Sequence, residues 1–511
     1  MSRSVGKVYI VGAGPGDPGL ITVKAMKLIQ EAQVIVYDHL INQKLLNYSR
    51  RHASTIDVGK QVGRKVLEQE KINELLVNEA KAGKVVVRLK GGDPFIFGRG
   101  GEECEALAAH DIPFEVVPGV TSAIAAPAYA GIPLTHRACA SSVALVTGHE
   151  DPAKRMSAID FKKLAHGVDT IVCLMGVGTM GRIVSELREG GASHDTPVAV
   201  IEQGTYPHQR VVEGRLDDIV SRVKRAGVKP PSVMVVGKVV KLRERISWFE
   251  SLPLVEKTIV ITRSEEQADA LVDLLEQAGA RVVCFPTIAI APPRSFNGLD
   301  RALQHMQDYH YIAFTSVNGV NTFLSRMEAL GMDRGILREV TIAALGEVTA
   351  RALRAHSLLP AIVPGVFTSR HFAAQFKSEN MKGKKVLLVR SGISGDLLPR
   401  ALKKMGARVE EVSSYTIKKA RVRAGEVKKL FKKGMVDCIT FTSPSTFSNF
   451  ISLMKGEPVA RLLKGTTVAA IGPVTKKEIM RHGIKVGITA SPYTVPGLVK
   501  AITAHFGAMR K

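Results

Sequence analysis

The chain has 511 residues, of which 45% are apolar and 23% are charged, and its formal net charge is +24. This composition is typical of globular domains and excludes a disordered or collagen-like chain, and the length predicts several domains. The apolar runs are shorter than the ~18 residues of a membrane-spanning helix, so we expect no membrane partner. We also expect no signal peptide, because the N-terminus leads directly into a strand at residues 8–11. The five Cys lack Cys-x-x-Cys spacing, which favours a reducing, cytoplasmic location.

The positive charge is concentrated in the second half of the chain. Residues 1–250 carry 33 Lys and Arg against 27 Asp and Glu, a net charge of +6, whereas residues 251–511 carry 38 against 20, a net charge of +18. A basic half predicts an anionic partner such as nucleic acid, phosphate or a polycarboxylate. A basic surface without a specific partner is the alternative. Aromatic residues make up only 5% of the chain, with one Trp, and this disfavours stacking of single-stranded nucleic acid.

The first predicted strand ends in a Gly-Pro loop, Gly12-Ala13-Gly14-Pro15-Gly16-Asp17, which opens a predicted helix. A dinucleotide-binding fingerprint requires its third glycine at position 17. Asp17 stands there instead and would repel a pyrophosphate, and Pro15 removes one amide donor. The loop therefore favours close approach to a less charged ligand over a dinucleotide site.

Further segments of the first half are rich in glycine, proline and small polar residues. They are Lys90-Gly91-Gly92-Asp93-Pro94-Phe95-Ile96, Val117-Pro118-Gly119-Val120-Thr121-Ser122, Leu174-Met175-Gly176 and Glu202-Gln203-Gly204. In this order and spacing, residues 5–245 resemble the uroporphyrinogen-III C-methyltransferase family. The resemblance implies an α/β architecture, the two-lobed tetrapyrrole methyltransferase fold. It also implies S-adenosylmethionine (SAM) as methyl donor, S-adenosylhomocysteine as product, and no metal.

The resemblance further implies which residues line the SAM pocket. Glycines there would let backbone groups approach the ligand closely, and Asp93 would accept a hydrogen bond from a polar donor. For Met175, packing in the core is the alternative. The implied pocket residues are Pro15, Gly91, Gly92, Asp93, Ile96, Thr121, Ser122, Met175 and Gly204.

The implied chemistry is methyl transfer to pyrrole carbons, for which an enzyme must align the reactants, exclude water and remove a proton. Asp38 occupies the family position of the general base, and a helix N-cap is its alternative role. Lys60 occupies the position of the proton donor, with binding of a substrate carboxylate as the alternative. Arg137 and His136 are candidate carboxylate ligands, with a buried structural pair as the alternative.

Three residues depart from the family pattern, and one of them, Lys238 where Glu is frequent, is peripheral. The other two concern the candidate site. Lys65 stands where the family usually has His, and Leu174 stands where it commonly has Tyr. Both departures bear on substrate contacts or rate, and neither changes the implied reaction class.

A second unit is predicted at residues 256–511, after a first unit at 1–246 and a linker at 247–255 where the charge balance also changes. Arg263 recurs 127 residues later as Arg390, and Phe314-Thr-Ser recurs at the same offset as Phe441-Thr-Ser. These matches predict an internal duplication. Alternating strands and helices in each copy predict parallel sheets in two lobes, joined by a β-strand hinge at residues 287–293 and 413–418. The predicted lobes are about 1–115 and 116–246 in the first unit, and about 256–290 plus 418–511 (lobe A) and 292–416 (lobe B) in the second.

In the second unit, hydroxyl and amide side chains follow predicted strands, a placement that favours anion binding. No nucleophile-plus-base triad and no metal-ligand spacing is visible in this half of the sequence. In Arg263, Thr315-Ser316-Val317-Asn318, Arg390, Tyr415 and Phe441-Thr-Ser-Pro-Ser445, residues 256–505 resemble uroporphyrinogen-III synthase.

That resemblance implies ring closure of hydroxymethylbilane, a flexible octacarboxylate that suits a basic protein surface. Tyr415 is the expected hydrogen-bond donor to the leaving hydroxyl, with a packed hinge tyrosine as the alternative. The expected substrate ligands are Arg137 in the first unit and Arg263, Thr315, Ser316, Asn318, Ser443, Ser445 and Thr475 in the second.

The sequence therefore predicts a bifunctional enzyme that makes uroporphyrinogen III and methylates it twice to precorrin-2, on the route to sirohaem or cobalamin. The expected partners are tetrapyrrole substrates and a second copy of the chain through the first unit, without nucleic acid. One alternative is a SAM-dependent methyltransferase of the same fold that acts on another tetrapyrrole or on RNA and is fused to an anion-binding module. The other is a basic RNA- or phosphate-binding protein without catalytic activity.

Overall fold

The computed structural model describes residues 5–50, 52–59, 68–149, 159–264, 267–365, 368–392, 395–420, 422 and 424–508. The chain divides into two compact units, residues 1–257 together with 276–281, and residues 258–275 together with 282–511. The bounds of the linker and of the lobes given above stay predictions. No helix in the described ranges combines the length and the apolar character needed to cross a bilayer.

The first unit begins with a five-stranded parallel sheet. Its strands are Val8–Gly12 (β1), Val34–Tyr37 (β2), Ser54–Asp57 (β3), Val86–Lys90 (β4) and Phe114–Val117 (β5), in the order β3-β2-β4-β1-β5. Its helices are Val23–Glu31 (α1), Gln69–Lys81 (α2), Gly100–Ala109 (α3) and Ser122–Tyr129 (α4). Apolar residues of α2 and α3 pack on one face of the sheet. Because the strands are parallel, the loops that follow them lie at one edge of the sheet.

A second, mixed sheet completes the first unit. Its strands are Val143–Thr147 (β6), Thr170–Leu174 (β7), Pro197–Glu202 (β8), Arg210–Arg215 (β9) and Ser232–Val236 (β10), in the order β6-β7-β10-β8-β9. Strands β6 and β7 are parallel, whereas β10 is antiparallel to both of its neighbours. The helices of this part are Phe161–Gly167 (α5), Met180–Glu189 (α6), Ile219–Ala226 (α7) and Arg243–Ile246 (α8).

The second unit contains two further five-stranded sheets. One sheet has the order β12-β11-β18-β19-β20 and consists of Thr258–Ile261 (β11), Arg281–Cys284 (β12), Cys438–Phe441 (β18), Thr467–Ala470 (β19) and Ile488–Thr489 (β20). The other has the order β13-β17-β16-β14-β15 and consists of Ile288–Ala291 (β13), Tyr311–Phe314 (β14), Thr341–Ala344 (β15), Lys385–Ser391 (β16) and Arg408–Lys419 (β17). The helices are Asp269–Gln277 (α9), Asn297–Gln304 (α10), Val317–Ala329 (α11), Glu347–Ala355 (α12), Ser369–Gln375 (α13), Leu397–Lys404 (α14), Ala424–Lys432 (α15), Pro444–Leu453 (α16), Val459–Leu462 (α17), Pro473–Arg481 (α18) and Val495–Ala508 (α19).

The predicted duplication is visible in the positions of these elements. Strands β14 and β18 begin 127 residues apart, at 311 and 438, as do helices α11 and α16, at 317 and 444. Each sheet combines strands of both copies, because β11 and β12 of the first copy share a sheet with β18 and β19 of the second. The repeat therefore builds two sheets of matching strand order.

The predicted hinge is an antiparallel pair of strands. Strand β17 pairs in parallel with β16 through its first part, up to Tyr415. Its last part pairs with β13, from Thr416 opposite Ala291 to Lys419 opposite Ile288. A strand of 12 residues thus leaves one sheet and continues as a two-stranded ribbon, as the sequence predicts.

Candidate functional site

The carboxyl edge of the first sheet gathers most residues that were expected to bind the methyl donor. Pro15 follows β1, Gly91, Gly92 and Asp93 follow β4, and Thr121 and Ser122 follow β5. Asp38 follows β2 at the same edge. Thr121 is the N-cap of α4, and its hydroxyl accepts a hydrogen bond from the Ala123 amide at 3.3 Å. The topology therefore brings together segments that are 23 to 107 residues apart in the chain.

Glycines allow three of these loops to touch through their backbones. The Gly14 and Gly92 amides each donate to the other residue's carbonyl, at 3.2 and 2.8 Å. A Cβ on Gly119 would lie 2.3 Å from the Gly92 carbonyl oxygen, and one on Gly12 would lie 2.5 Å from the Gly119 amide nitrogen. Side chains at Gly12 and Gly119 would force these loops apart, so both positions require glycine for packing.

Gly92 is different, because a Cβ there would make only ordinary van der Waals contacts with the protein. Its φ is +67°, a left-handed conformation that glycine adopts without cost. A Cβ there would meet no protein atom closer than 3.7 Å, and the nearest atoms belong to Thr121 and Ser122. The space beside the Gly92 Cα is therefore not filled by protein atoms, which is consistent with the predicted close approach of a ligand.

Asp93 holds the loop that carries Gly92. Its Oδ1 accepts hydrogen bonds from the amides of Phe95 and Ile96, at 2.8 and 3.2 Å, and its Oδ2 accepts from the amide of Gly119, at 3.0 Å. The carboxylate thus ties the β4 loop to the β5 loop. The side chain of Ile96 is exposed beside it.

Asp38 lies partly open to solvent, with 26% of its side chain exposed. Its Oδ2 lies 3.3 Å from Nη2 of Arg88, and its Oδ1 accepts from the Gly91 amide at 3.4 Å. The alternative role as a helix N-cap is wrong, because the next helical turn, Gln43–Tyr48, is capped by the side chain of Asn42. Lys60, the expected proton donor, lies outside the described residues, and so does Lys65, which stands where the family usually has His.

Met175 follows β7 and has the left-handed φ of +54°, which is uncommon for a residue with a side chain. Its side chain is 52% exposed, so the alternative of core packing is wrong. The contact between Gly148 and Gly176 fixes this turn, since a Cβ on Gly148 would lie 2.4 Å from the Gly176 Cα.

Gly204, another residue expected to bind SAM, packs closely against protein atoms, because a Cβ there would lie 2.3 Å from the Cβ of Ala126. Helix packing therefore explains that glycine without a ligand.

In the second unit, Ser316 and Ser443 occupy matching positions of the two copies. Ser316 caps α11 by accepting from the Gly319 amide at 3.1 Å, and Ser443 caps α16 by accepting from the Thr446 amide at 3.2 Å. Ser445 lies beside the second cap, with 2.9 Å between the two serine hydroxyl oxygens. Both helices begin at the carboxyl ends of strands, where helix N-termini favour anions.

The other residues expected to bind substrate in the second unit differ in their burial and in their hydrogen bonds. The Thr315 hydroxyl donates to the Val389 carbonyl at 3.4 Å. The side-chain nitrogen of Asn318, Nδ2, is buried without a hydrogen-bond partner. Arg263 follows β11, and burial lowers the pKa of its guanidinium. Thr475 is only 3% exposed and lies on the buried side of α18, which disfavours its direct contact with a substrate.

Tyr415 lies where β17 passes from the sheet to the ribbon. It is opposite Ser391, next to an irregularity in the pairing of β16 and β17. Its backbone carbonyl accepts from the Gly392 amide at 3.1 Å, and the residue is 9% exposed. The position is the predicted one, and the degree of burial also suits the alternative of a packed hinge tyrosine.

Comparisons with known proteins cover both units. Residues 7–220 match the family Tetrapyrrole (Corrin/Porphyrin) Methylases, and residues 269–500 match the family Uroporphyrinogen-III synthase HemD. The chain is 37% identical over 494 residues to a porphyrin biosynthesis protein HemD of Ruminiclostridium josui, covering 97% of each. The chain is therefore a fused member of the tetrapyrrole methylase and uroporphyrinogen-III synthase families.

Two further relatives match the methylase unit alone. An S-adenosyl-L-methionine-dependent uroporphyrinogen III methyltransferase of Methanosarcina barkeri is 55% identical, over 48% of this chain and 96% of its own. A crystal structure of a uroporphyrin III C-methyl transferase of Thermus thermophilus is 41% identical, with a TM-score of 0.41, over 46% of this chain and 100% of its own.

In the methylase unit, the expected pair of Arg137 and His136 is not buried. Both residues are exposed, in a turn that the bridge between His136 and Ala140 closes. The alternative of a buried structural pair is therefore wrong, and Arg137 as a carboxylate ligand stays a prediction.

Asp17 has a structural role that its sequence position does not reveal. Its Oδ1 accepts from the Gly19 amide at 2.7 Å, and its Oδ2 accepts from the Tyr129 hydroxyl at 2.6 Å. Its own amide donates to the Thr205 hydroxyl at 3.0 Å. Burial and the hydrogen bond to Asp17 raise the pKa of Tyr129, so this phenol remains a donor.

A group of buried charges next to Asp38 was not predicted from the sequence. Arg88 and Lys90 on β4 and Glu103 on α3 are almost fully buried and contact one another. A signal was available, since Arg88 and Lys90 alternate with Val87 and Leu89, the pattern of a strand. Charged side chains are rarely buried without a partner, so the pattern itself called for an acidic residue nearby.

In the synthase unit, a groove of about 560 Å³ lies away from the expected site. It is lined by Tyr309, Lys385, Lys403, Ala407, Arg408, Val409 and Glu410. Lys385 and Arg408 begin β16 and β17, so the groove lies at the amino edge of the sheet, opposite the edge that carries Ser316. None of the expected substrate ligands lines it.

Proposed function

We propose that this protein cyclises hydroxymethylbilane to uroporphyrinogen III in its second unit and methylates that product twice with SAM, to precorrin-2, in its first. The full-length match at 37% identity carries the proposal, because it covers both units in one chain. The arrangement of strand-end glycines and Asp38 supports it independently. We further propose that the protein is cytoplasmic, forms a homodimer through the first unit and binds no nucleic acid.

The first unit has the features that a SAM site requires. When bound, SAM supplies a methyl group already activated on a sulfonium. Gly92 leaves a space that no protein atom fills, and Asp93 fixes the loop around it. We assign the ligand contacts to this loop, to Pro15, to Thr121 and Ser122, and to the exposed side chain of Met175.

Asp38 is the proposed general base of the methyl transfer. Transfer of a methyl cation to a pyrrole carbon leaves the ring system positively charged. The charge is removed when a proton leaves a ring nitrogen or a bridging carbon, and a carboxylate in hydrogen-bond reach accepts that proton. Asp38 is fixed by Arg88 and the Gly91 amide and still reaches solvent. Lys60 is the proposed proton donor.

The second unit is proposed to act mainly by folding its substrate. Side-chain carboxylates of the bilane would bind at the helix N-termini that Ser316 and Ser443 cap. Tyr415 would donate a hydrogen bond to the leaving hydroxyl, since a phenol is a neutral donor at pH 7. The attacking electrons come from the substrate's own pyrroles, so no nucleophilic side chain is needed.

A single incubation tests both activities. The full chain is given hydroxymethylbilane with and without SAM, and the products are oxidised and separated by chromatography. We expect uroporphyrin III without SAM and a product heavier by two methyl groups with SAM. Formation of only the spontaneous isomer I would refute the synthase activity. Uroporphyrin III without a mass gain would refute the methyltransferase activity.

A further inference from the structure

Four charged side chains form a continuous chain of contacts from the core of the first unit to its site edge. Oδ2 of Asp38 lies 3.3 Å from Nη2 of Arg88, and Nε of Arg88 donates to Oε1 of Glu103 at 3.0 Å. Nζ of Lys90 donates to the same Oε1 at 2.9 Å. The charges alternate in sign along the chain, from the carboxylate at the edge to the ammonium inside.

Three of these four groups are buried. The side chain of Glu103 is 0% exposed, and those of Arg88 and Lys90 are 3% and 4% exposed. Burial, together with the neighbouring Arg88, lowers the pKa of Lys90. The other oxygen of Glu103, Oε2, is buried without a hydrogen-bond partner. Only Asp38 reaches the surface.

Stability does not account for this arrangement. Removing charges from water costs free energy that their mutual attraction often fails to restore, and apolar side chains of similar volume are frequently as stable or more so. The positions on β4 face the apolar residues of α2 and α3, where valine or leucine would pack without that cost. An oxygen of Glu103 left without a donor adds to the cost.

The arrangement does fix the orientation of Arg88. Nη1 donates to the carbonyls of Leu89 and Val36, at 3.2 and 3.5 Å, while Nε is held by Glu103. A planar guanidinium with these donors engaged cannot turn, so Nη2 has one direction, towards Asp38. Glu103 is itself held, because it lies on α3 and also accepts from the amide of Gln69 at 3.2 Å.

We propose that Glu103, with Lys90, is a positioning residue of the methyltransferase site that acts through Arg88 to orient the Asp38 carboxylate. The proposal rests on the proposed methyltransferase function and extends it to residues that touch neither substrate nor methyl donor. Arg88 contacts Oδ2 of the Asp38 carboxylate, and the Gly91 amide donates to Oδ1. The remaining lone pairs of the carboxylate are then available to the site. Loss of Glu103 releases Nε of Arg88 and leaves two buried cations without their anion, so Arg88 and Asp38 shift.

The test compares two charge-removing variants of one helix. Glu103→Gln keeps the volume of the buried side chain, and Glu105→Gln removes an exposed charge two residues later as the matched control. Each full-length variant is supplied with uroporphyrinogen III and SAM, and kcat, KM for SAM and SAM affinity are measured. Conversion of hydroxymethylbilane by the second unit serves as the internal measure of folded protein.

We expect Glu103→Gln to lower kcat for methylation at least tenfold, with KM for SAM and SAM affinity within about twofold of wild type. Glu105→Gln keeps wild-type kinetics. A second variant, Lys90→Met with Glu103→Leu, removes one charge of each sign and restores apolar packing. It keeps or raises the melting temperature and still lowers kcat at least tenfold, because Arg88 has lost its anchor.

The outcomes separate the two proposals. Wild-type kcat in Glu103→Gln, or in the double variant should Glu103→Gln fail to fold, overturns the positioning role while the methyltransferase function stands. A parallel loss of kcat and SAM affinity shows a general structural role and also overturns it. A wild-type protein that binds SAM but never methylates uroporphyrinogen III refutes the proposed function, and the positioning role falls with it.

Discussion

Alanine at Gly92 separates the cost of a strained backbone from the loss of a ligand contact. The φ of Gly92 is +67°, and a residue with a Cβ in this left-handed region loses roughly 1–2 kcal/mol. The added methyl group meets no protein atom closer than 3.7 Å, so no steric term is added within the protein itself. The expected loss of folding free energy is therefore the backbone term alone, about 1–2 kcal/mol.

Gly227 provides the matched control in the same unit. It ends α7 with a φ of +63°, and a Cβ there would have no neighbour within 4 Å. Gly227→Ala should therefore lose about the same folding free energy, roughly 1–2 kcal/mol. Gly227 lies far along the chain from the strand-end loops, so its methyl group should leave ligand binding unchanged.

The two variants should differ in affinity for SAM. We expect Gly92→Ala to bind SAM at least tenfold more weakly, which corresponds to about 1.4 kcal/mol, because its methyl group projects into the space assigned to the ligand. Calorimetric titration with SAM measures the affinity, and urea unfolding measures the stability of both variants. If Gly92→Ala and Gly227→Ala bind SAM equally well, the open space beside Gly92 is not the ligand site.

Three further substitutions test single residues in the same way. Asp38→Asn should lower methylation by roughly 100-fold or more, the usual contribution of a general base, and leave uroporphyrinogen III synthesis intact; normal methylation would exclude this role. Tyr415→Phe should slow ring closure at least ~10-fold, about 1.4 kcal/mol of transition-state stabilisation, seen as a lower ratio of uroporphyrin III to isomer I, whereas an unchanged ratio would leave only hinge packing. Ser443→Ala removes the N-cap of α16 and should cost about 1 kcal/mol of stability in the second unit, measured by thermal unfolding, with ring closure reduced less than in Tyr415→Phe; unchanged stability would show that the capping contacts contribute little.

Periodicity and repetition made much of the fold predictable. The 127-residue offset between Arg263 and Arg390 places β11 and β16 at equivalent positions in their two sheets, because duplicated sequences bury the same apolar pattern. The ribbon of β13 and β17 was predictable from two extended segments at matching places in the two copies. The family resemblance carried by the glycine-rich segments indicated the first candidate site, and these segments follow strands of the first sheet.

The alternatives that the structure excludes concern side chains whose surroundings come from distant parts of the chain. For Met175 the alternative was core packing, but a left-handed turn held by Gly148 and Gly176 leaves the residue exposed. For Asp17 the sequence showed only a charge that would repel a pyrophosphate, and not that Tyr129, 112 residues later, donates a hydrogen bond to its carboxylate. Local patterns do not contain such pairings, because tertiary packing creates them.

The synthase unit illustrates why an enzyme can lack a catalytic triad. Helices α11, α12, α16 and α18 all begin directly after strands of parallel sheets, so their N-termini lie at the carboxyl edges. Backbone amides there favour carboxylates through the helix dipole and need no particular side chain. A substrate with eight carboxylates would bind to several such sites and to the basic surface at once. A single substitution at Ser316, Asn318 or Ser443 should therefore reduce substrate binding and ring closure only slightly. Tyr415 has no such duplicate, because the matching residue 127 positions earlier is Ile288, which has no hydroxyl group. This is the physical reason to expect one sensitive residue in an otherwise tolerant site.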